Sequence, residues 1–383
     1  MRNYHILLVN YEYPPLGGGG GIACKQIFEE AKRKCSNIEV DVLTAGSSDL
    51  SKEEKINGIR VYRIRSVGRS SWSNAPLVTL VTFPILGFLK GLELMRKNKY
   101  DIVYSWFAVP SGVLGLVLAK LFKRKHYLTI VGGDLYKPDQ VWSPHRWFFF
   151  RWTVHLVTLL SNRLSAISND VKTKAREWFG IKKEIDVLSL GSVFCEYDKK
   201  SREQLGLDES KLYLISVGRI IGRKGYNYLI EALAKLPENV ESLIVSEGPD
   251  KKILENLAEK LGVRERVHFL GRLSDEEKFQ YLEASDIYVM SSLHEGFGIV
   301  LVEAMYTGLP IVSTKCGGAE DIVKEGVNGI FARVADSDDL AQKIEKIVND
   351  RNLRIKYGEK SREMSRDFTI KSVAEKYVKF LCE

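Results

Sequence analysis

Residues 286–305 read DIYVMSSLHEGFGIVLVEAM. Asp286 to Ser292 is a short apolar run ending in small polar residues, the pattern of a buried strand. Gly296 and Gly298 break that run, and from about Phe297 an apolar stretch begins that reads as a helix. Strand, glycine turn and helix make half of a parallel βαβ unit, with the turn at the carboxyl edge of the sheet. Glu295 and Glu303 stand eight residues apart across it. Glu295 would lie in the loop and Glu303 about a turn and a half along the helix. Between them, the amides of Phe297, Gly298, Ile299 and Val300 would face a phosphate at the helix amino end. One carboxylate could then bond sugar hydroxyls and the other a ribose. Glu303 can also be read as a helix-surface residue, but its apolar neighbours argue for burial, and a buried carboxylate needs a partner.

Working outward, the same rhythm repeats. HILLVN, VDVLTA, IRVYRIR, DIVYSW, HYLTIVG and RLSAIS read as strands of a first half. YLISVGRI, ESLIVSEG, RVHFLGR, DIYVMSS and LPIVSTK read as strands of a second. Amphipathic stretches such as GIACKQIFEEAKRK and KKILENLAEKL lie between them. Strands alternating with helices imply parallel sheets covered on both faces. The chain has 383 residues, which suits two domains. Composition shifts near residues 190–200. The expected fold is α/β: two doubly wound Rossmann-like domains facing a cleft. The first domain covers 1–195, the second 196–367, and a helix over 368–383 returns to the first.

Two more loops carry candidate chemistry. Gly218-Arg219 and Lys224-Gly225 follow the strand YLISV, so Arg219 and Lys224 leave one sheet edge together. Two cations on one loop suit a diphosphate leaving group, although a solvated basic loop has the same sequence. Gly17–Gly21 follows the first strand and would let backbone approach an anion or a sugar. Its spacing fits neither G-x-G-x-x-G nor a phosphate loop of the G-x-x-x-x-G-K-S/T type. A nicotinamide oxidoreductase is disfavoured on that ground, and a flexible turn is the alternative. Five scattered cysteines with no C-x-x-C pair give neither a disulfide framework nor a zinc site. The amino-terminal apolar run is too short for a signal peptide and reads as a strand.

The second half resembles the donor domain of the retaining glycosyltransferases of family 4, which have the GT-B fold. The likeness rests on Gly218-Arg219…Lys224-Gly225, Glu247-Gly248-Pro249, Phe269-Leu270-Gly271 and EGFGIVLVEAM, in that order. It continues through Gly308-Leu309-Pro310-Ile311-Val312, Gly317-Gly318 and Gly326…Asn328-Gly329, and covers residues 205–365. The first half resembles the family more loosely, through the glycine loop and Thr129–Asp134. The resemblance implies that Arg219 and Lys224 bind the diphosphate of a UDP-, GDP- or ADP-sugar. Glu295 would touch the sugar, Glu303 the ribose, and Gly271 to Leu273 the nucleobase. Gly20 and Gly21 would close over the phosphate or admit the acceptor. Many members carry a His directly before Gly132-Gly133-Asp134, where this chain has Val131; Asp134 is the polar candidate for that role. No metal or cofactor is implied, since fixed cations already neutralise the diphosphate. The implied reaction is transfer of a hexose-type sugar with retention. A GT-B epimerase and a non-catalytic nucleotide-sugar binder remain as alternatives.

Charge divides unevenly. Residues 1–195 carry 28 Lys and Arg against 16 Asp and Glu, and residues 196–383 carry 29 against 33. All six Trp lie in the basic half, and WSPHRWFFFRWTVHL (142–156) mixes Trp and Phe with Arg146 and Arg151. Such a segment suits the interface of an anionic bilayer, or the cover of a sheet. Peripheral membrane contact through residues 123–152, a glycan or glycolipid acceptor and a cytoplasmic place at the inner face of the cell membrane are the expectations. No nucleic-acid module appears. The uncharged run 102–119 reads as strand, loop and helix rather than as a membrane span, and the run 70–89 is interrupted by Asn74, Pro76 and Pro84.

Overall fold

The computed structural model describes residues 3–66, 77–136 and 143–383. The chain forms two compact units, one of residues 1–191 with 370–383 and the other of residues 192–369. The junction thus falls at 191/192 rather than 195/196, and the returning helix starts at 370 rather than 368. The cause is local: Ser192 pairs with Thr369, and its amide donates to the Phe368 carbonyl, which keeps both segments in the second unit.

The first unit is built on β1 (Tyr4–Val9), β2 (Ile38–Gly46), β3 (Glu53–Ile56), β4 (Ile59–Arg65), β5 (Ile102–Trp106), β6 (Lys125–Ile130), β7 (Arg163–Ala166) and β8 (Asp186–Val187). Their order across the sheet is β3-β4-β2-β1-β5-β6-β7-β8, parallel except for the β3–β4 pair. Ile6 to Val9 are wholly buried, as a strand covered on both faces requires. β3 was not among the expected strands. It is a short, half-exposed hairpin arm, turned by Asn57 and Gly58, both at positive φ.

The helices of this unit are α1 (Gly19–Lys34), α2 (Leu77–Lys97), α3 (Val113–Leu121), α4 (Phe148–Leu160) and α5 (Asn169–Phe179). α1 meets the closing helix Ile370–Cys382, while α2 to α5 meet one another in series. Right-handed crossovers put these two groups on opposite faces of the sheet. The closing helix is tied down at both ends. The Tyr4 hydroxyl donates to the Cys382 carbonyl at 2.9 Å, and the Tyr377 hydroxyl to Leu188 at 3.0 Å.

The second unit holds β9 (Leu212–Val217), β10 (Val240–Val245), β11 (Val267–Gly271), β12 (Ile287–Met290), β13 (Ile311–Thr314) and β14 (Gly329–Ala332). All run parallel, in the order β11-β10-β9-β12-β13-β14. The helices are α6 (Tyr226–Leu233), α7 (Lys251–Lys260), α8 (Asp275–Ala284), α9 (Ile299–Tyr306), α10 (Ala319–Ile322), α11 (Ser337–Val348) and α12 (Arg351–Ser365). Leu214, Ile244, Val289 and Val312 of the strands pack with Leu229, Leu233 and Ile344 of the helices. Strand order reverses between β1 and β5 in one sheet and between β9 and β12 in the other. Open parallel sheets bind ligands beyond the carboxyl ends at such reversals.

Candidate active site

The loops after β9 and β12 meet at the reversal of the second sheet. Gly218 ends β9 at φ +151°, and a Cβ there would lie 3.2 Å from Lys224 Cε. The Tyr226 hydroxyl donates to the Gly218 carbonyl at 2.6 Å. Gly225 is required: a Cβ on it would fall 2.2 Å from the Ser291 carbonyl oxygen of the neighbouring loop. Across this seam the Leu293 amide donates to the Arg223 carbonyl and Ser291 Oγ to the Lys224 carbonyl. The loop therefore delivers Lys224 Nζ to 2.5 Å from Glu295 Oε2, with Arg223 Nη1 at 3.9 Å. Arg219 lies half-buried beside Gly218.

Glu295 is held from behind as well. Its carbonyl accepts from the Gly318 amide at 2.9 Å, and a Cβ on Gly318 would strike the Gly296 carbonyl at 2.3 Å. Burial pushes the Glu295 carboxyl up, but Lys224 and Arg223 together hold it below its ordinary value. It is an ionised carboxylate at the sheet edge.

α9 starts at Ile299, two residues later than expected. Gly298 sits at φ +96° and belongs to the turn, and the Phe297 ring is buried 6.0 Å from that of Phe368. Ile299 and Val300 occupy the first helical positions. Glu303 is not a surface residue: it is 8% exposed, with Ser192 Oγ donating to Oε1 at 3.3 Å and Lys278 Nζ 3.0 Å from the same oxygen. Lys278 escaped the sequence reading, because nothing in the sequence links α8 to α9. Gly271 ends β11 at φ +71°, and the half-buried Leu273 precedes Ser274, which caps α8 in a capping box with Glu277. Gly271, Leu273, Lys278 and Glu303 therefore follow one another along a short path.

In the first unit the loops after β1, β5 and β6 converge. A Cβ on Gly21 would fall 2.5 Å from the Glu12 carbonyl oxygen, and one on Gly20 would lie 3.2 Å from Val131 Cγ1 and 3.4 Å from Phe107 Cζ. Asp134, the polar candidate beside Val131, lies where two of these loops meet. Its Oδ2 accepts from the Ala108 amide at 2.6 Å and its Oδ1 from the Val131 amide at 2.9 Å, in a residue 3% exposed. It ties the β6 loop to the β5 loop. Among the described residues no group of three or more His, Cys, Asp or Glu could hold a metal ion.

Known proteins fit this arrangement. The family profile described as Glycosyl transferases group 1 matches residues 198–364, and that described as Glycosyltransferase Family 4 matches residues 17–191. An uncharacterized glycosyltransferase of Methanocaldococcus jannaschii is 30% identical over 370 residues, covering 91% of this chain and 90% of that protein. The lipopolysaccharide core biosynthesis glycosyltransferase LpsE of Rhizobium meliloti is 34% identical over 294 residues, covering 76% and 79%. Among solved structures, Anabaena HepE in complex with UDP superposes with a TM-score of 0.77 at 22% identity, covering 100% of this chain and 99% of that one. HepE is also known in complex with UDP-glucose. Two Rossmann-like units of this kind are the GT-B fold expected from the sequence.

Proposed function

The chain belongs to the group 1 glycosyltransferases of family 4, and from that premise we propose that it moves a hexose-type sugar from a nucleotide diphosphate to an acceptor, with retention. The observation that carries the reading is the meeting of Lys224, Arg223 and the ionised Glu295 at the β9/β12 reversal. Arg219 and Lys224 take the diphosphate, whose charge grows as the C1–O bond breaks. Lys224 then exchanges the Glu295 carboxylate for phosphate oxygen, which frees Glu295 for the sugar hydroxyls. The acceptor oxygen bonds C1 on the face the phosphate leaves, and the departing phosphate oxygen takes the acceptor's proton. No metal enters this scheme, so activity should survive a chelator. Gly271 to Leu273 flank the base, and Glu303 holds the ribose.

The complexes of HepE with UDP and UDP-glucose make a uridine donor the first to try, with GDP- and ADP-sugars beside it. A thermal-shift screen of these donors tests the reading, since a ligand at 100 times its Kd stabilises by about 2.7 kcal/mol. Transfer measured with and without acceptor then separates a transferase from a nucleotide-sugar epimerase.

For the acceptor, we propose a glycan carried on an anionic membrane, with the enzyme peripheral at its cytoplasmic face. Three neighbouring helices of the first unit support this. α2 exposes Val78, Val81, Ile85 and Leu89; α3 exposes Val117 and Leu121; α4 exposes Phe148, Phe149, Trp152 and Leu159. Large apolar side chains exposed on three helices packed in series are uncommon on a soluble surface, and Lys120, Lys123, Arg124 and Lys125 of the same stretch are exposed as well. By length and composition Val78–Lys97 could cross a bilayer. Its Phe83, Gly87 and Gly91 side is buried, however, with Gly87 and Gly91 set tightly against Leu114 and Leu118 of α3, so the helix lies on the unit. Residues 137–142 of the expected contact segment, with Trp142, and Trp72 lie outside the described residues. A lipid-linked acceptor accords with the role of LpsE in lipopolysaccharide core synthesis.

A further inference from the structure

Lys278 stands one turn after Asp275 on α8, 2.9 Å from Asp275 Oδ1 and 3.0 Å from Glu303 Oε1, with a side chain 14% exposed. Asp275 is mostly exposed and contributes little as a surface ion pair, but it fixes the direction of the ammonium. Glu303 is the buried member. Its Oε1 is shared by Lys278 and Ser192, while its Oε2 is buried and receives no hydrogen bond from any described residue. A carboxylate left without its donors in a low-dielectric setting is costly, and a ligand hydroxyl would remove that cost.

Burial drives the Glu303 carboxyl above its ordinary value, and Lys278 offsets part of that rise. Burial also works against the Lys278 ammonium, which Glu303 and Asp275 nonetheless hold protonated above its ordinary value. The Ser192 hydroxyl also favours the charged form, but less than the ammonium does.

We propose that Lys278 is a positioning residue for the donor nucleotide: it pins Glu303 through Oε1 and leaves Oε2 to accept the hydroxyls of the ribose. This rests on the assignment of Glu303 to the ribose made above, and adds the group on which that assignment depends. It also joins two parts of donor recognition. The Gly271–Leu273 loop beside the base runs directly into the capped amino end of α8, and Lys278 is on the first turn of that helix. Base and ribose are thereby read from one element.

The test compares UDP, GDP and ADP, taking whichever binds tightest, with its 2′,3′-dideoxy analogue. The unmodified protein should prefer the ribonucleotide by about tenfold or more, as loss of hydrogen bonds to a charged group implies. Lys278→Met should cut that preference to about twofold while leaving affinity for the dideoxy analogue unchanged, which a merely structural lysine would not do. Lys278→Arg should restore most of it. If Lys278→Met does not fold, Lys278→Ala bears the same test, since it too removes the contact with Oε1. A folded variant with the full preference overturns the proposal. If Glu303→Ala abolishes the preference and Lys278→Met leaves it intact, the role of Lys278 fails alone. If the unmodified protein shows no preference, the ribose assignment fails first and takes the proposal with it.

Discussion

The two sheet edges solve the same topological problem by opposite means. At the β9/β12 reversal, side-chain charge does the joining: Lys224 to Glu295, Arg223 to the His294 carbonyl, and Lys278 to Glu303. At the β1/β5 reversal, shape does it, with Gly20 against Val131 and Phe107 and Gly21 against the Glu12 backbone. The acidic groups described there, Asp134 and Glu12, accept from backbone amides. A nucleoside diphosphate has a constant charge and constant ribose hydroxyls, so fixed ions suit it. If the first unit takes the acceptor, a glycine-lined edge there could be reshaped by a few apolar side chains.

The contrast breaks first at Glu295. Glu295→Gln should reduce transfer by about 100-fold or more, the scale of losing one preorganised polar contact to the transition state. Donor affinity should change only a few-fold, because on the proposed reading Arg219 and Lys224, not Glu295, hold the diphosphate. Turnover and donor Kd measured on the same variant check this; turnover close to that of the unmodified enzyme removes Glu295 from the chemistry. Next come the cations. Arg219→Ala and Lys224→Ala should each weaken nucleoside-diphosphate binding by about 1.5–3 kcal/mol in calorimetric titration. The double variant should lose less than the sum, since both groups serve one diphosphate. Lys224→Ala should cost more in thermal stability than Arg219→Ala, because it strands a buried carboxylate.

How much of this the sequence carries follows from the same contrast. Lys224 and Glu295 were legible because short glycine-punctuated loops hold them, and Gly218, Gly225 and Gly318 prove to be sites of close backbone approach. Glu303 was legible as a buried acid in an apolar run, whereas its partner Lys278, on another helix 25 residues upstream, was not. A Gly-Gly-Asp loop does not disclose which way its carboxylate faces, and the amides of Ala108 and Val131 that bond Asp134 were not legible. The start of α9 was misplaced because Gly298 adopts a left-handed conformation that sequence spacing does not reveal. β3 was missed although Asn57-Gly58 is a strong hairpin signal, since EEKI is too polar to look like a strand.

A third effect concerns the face of the first unit that has no counterpart on the second. Among the described residues α2, α3 and α4 of the first unit each expose more than one large apolar side chain, whereas no helix of the second unit exposes more than one. If that face meets an anionic membrane, the protein should sediment with acidic vesicles at low salt and hardly at all with neutral ones. Binding should weaken as salt shortens the screening length below about 10 Å. Arg146→Glu with Arg151→Glu should reduce vesicle binding by about 1 kcal/mol per removed charge, and donor affinity should not follow. Indifference to acidic vesicles at low salt would make a water-soluble acceptor the better reading.

The smallest effect separates the two units by pH. His126 is wholly buried between Ser105 Oγ at 2.9 Å and Ser161 Oγ at 2.8 Å, and burial lowers its pKa to about 3. Its folded value lies below the unfolded value of about 6.5. The unfolded chain therefore binds a proton that the native state refuses, and stability is lost as pH falls below about 6.5 and on towards 3. Linkage makes the loss about 0.7 kcal/mol between pH 7 and pH 6, steepening to about 1.4 kcal/mol per unit below. Glu295 behaves differently: its carboxyl is depressed, so its contribution is complete above the ordinary glutamate value and is lost only as pH falls through the lower folded value. Denaturant unfolding from pH 7.5 to 5.5 should thus report the first unit's histidine and not the second unit's carboxylate. His126→Asn should flatten the slope by about half a proton at pH 6.5 and by nearly one at pH 5.5, while Glu295→Gln should leave it unchanged. An unaltered slope in His126→Asn would mean that the imidazole is charged in the folded protein.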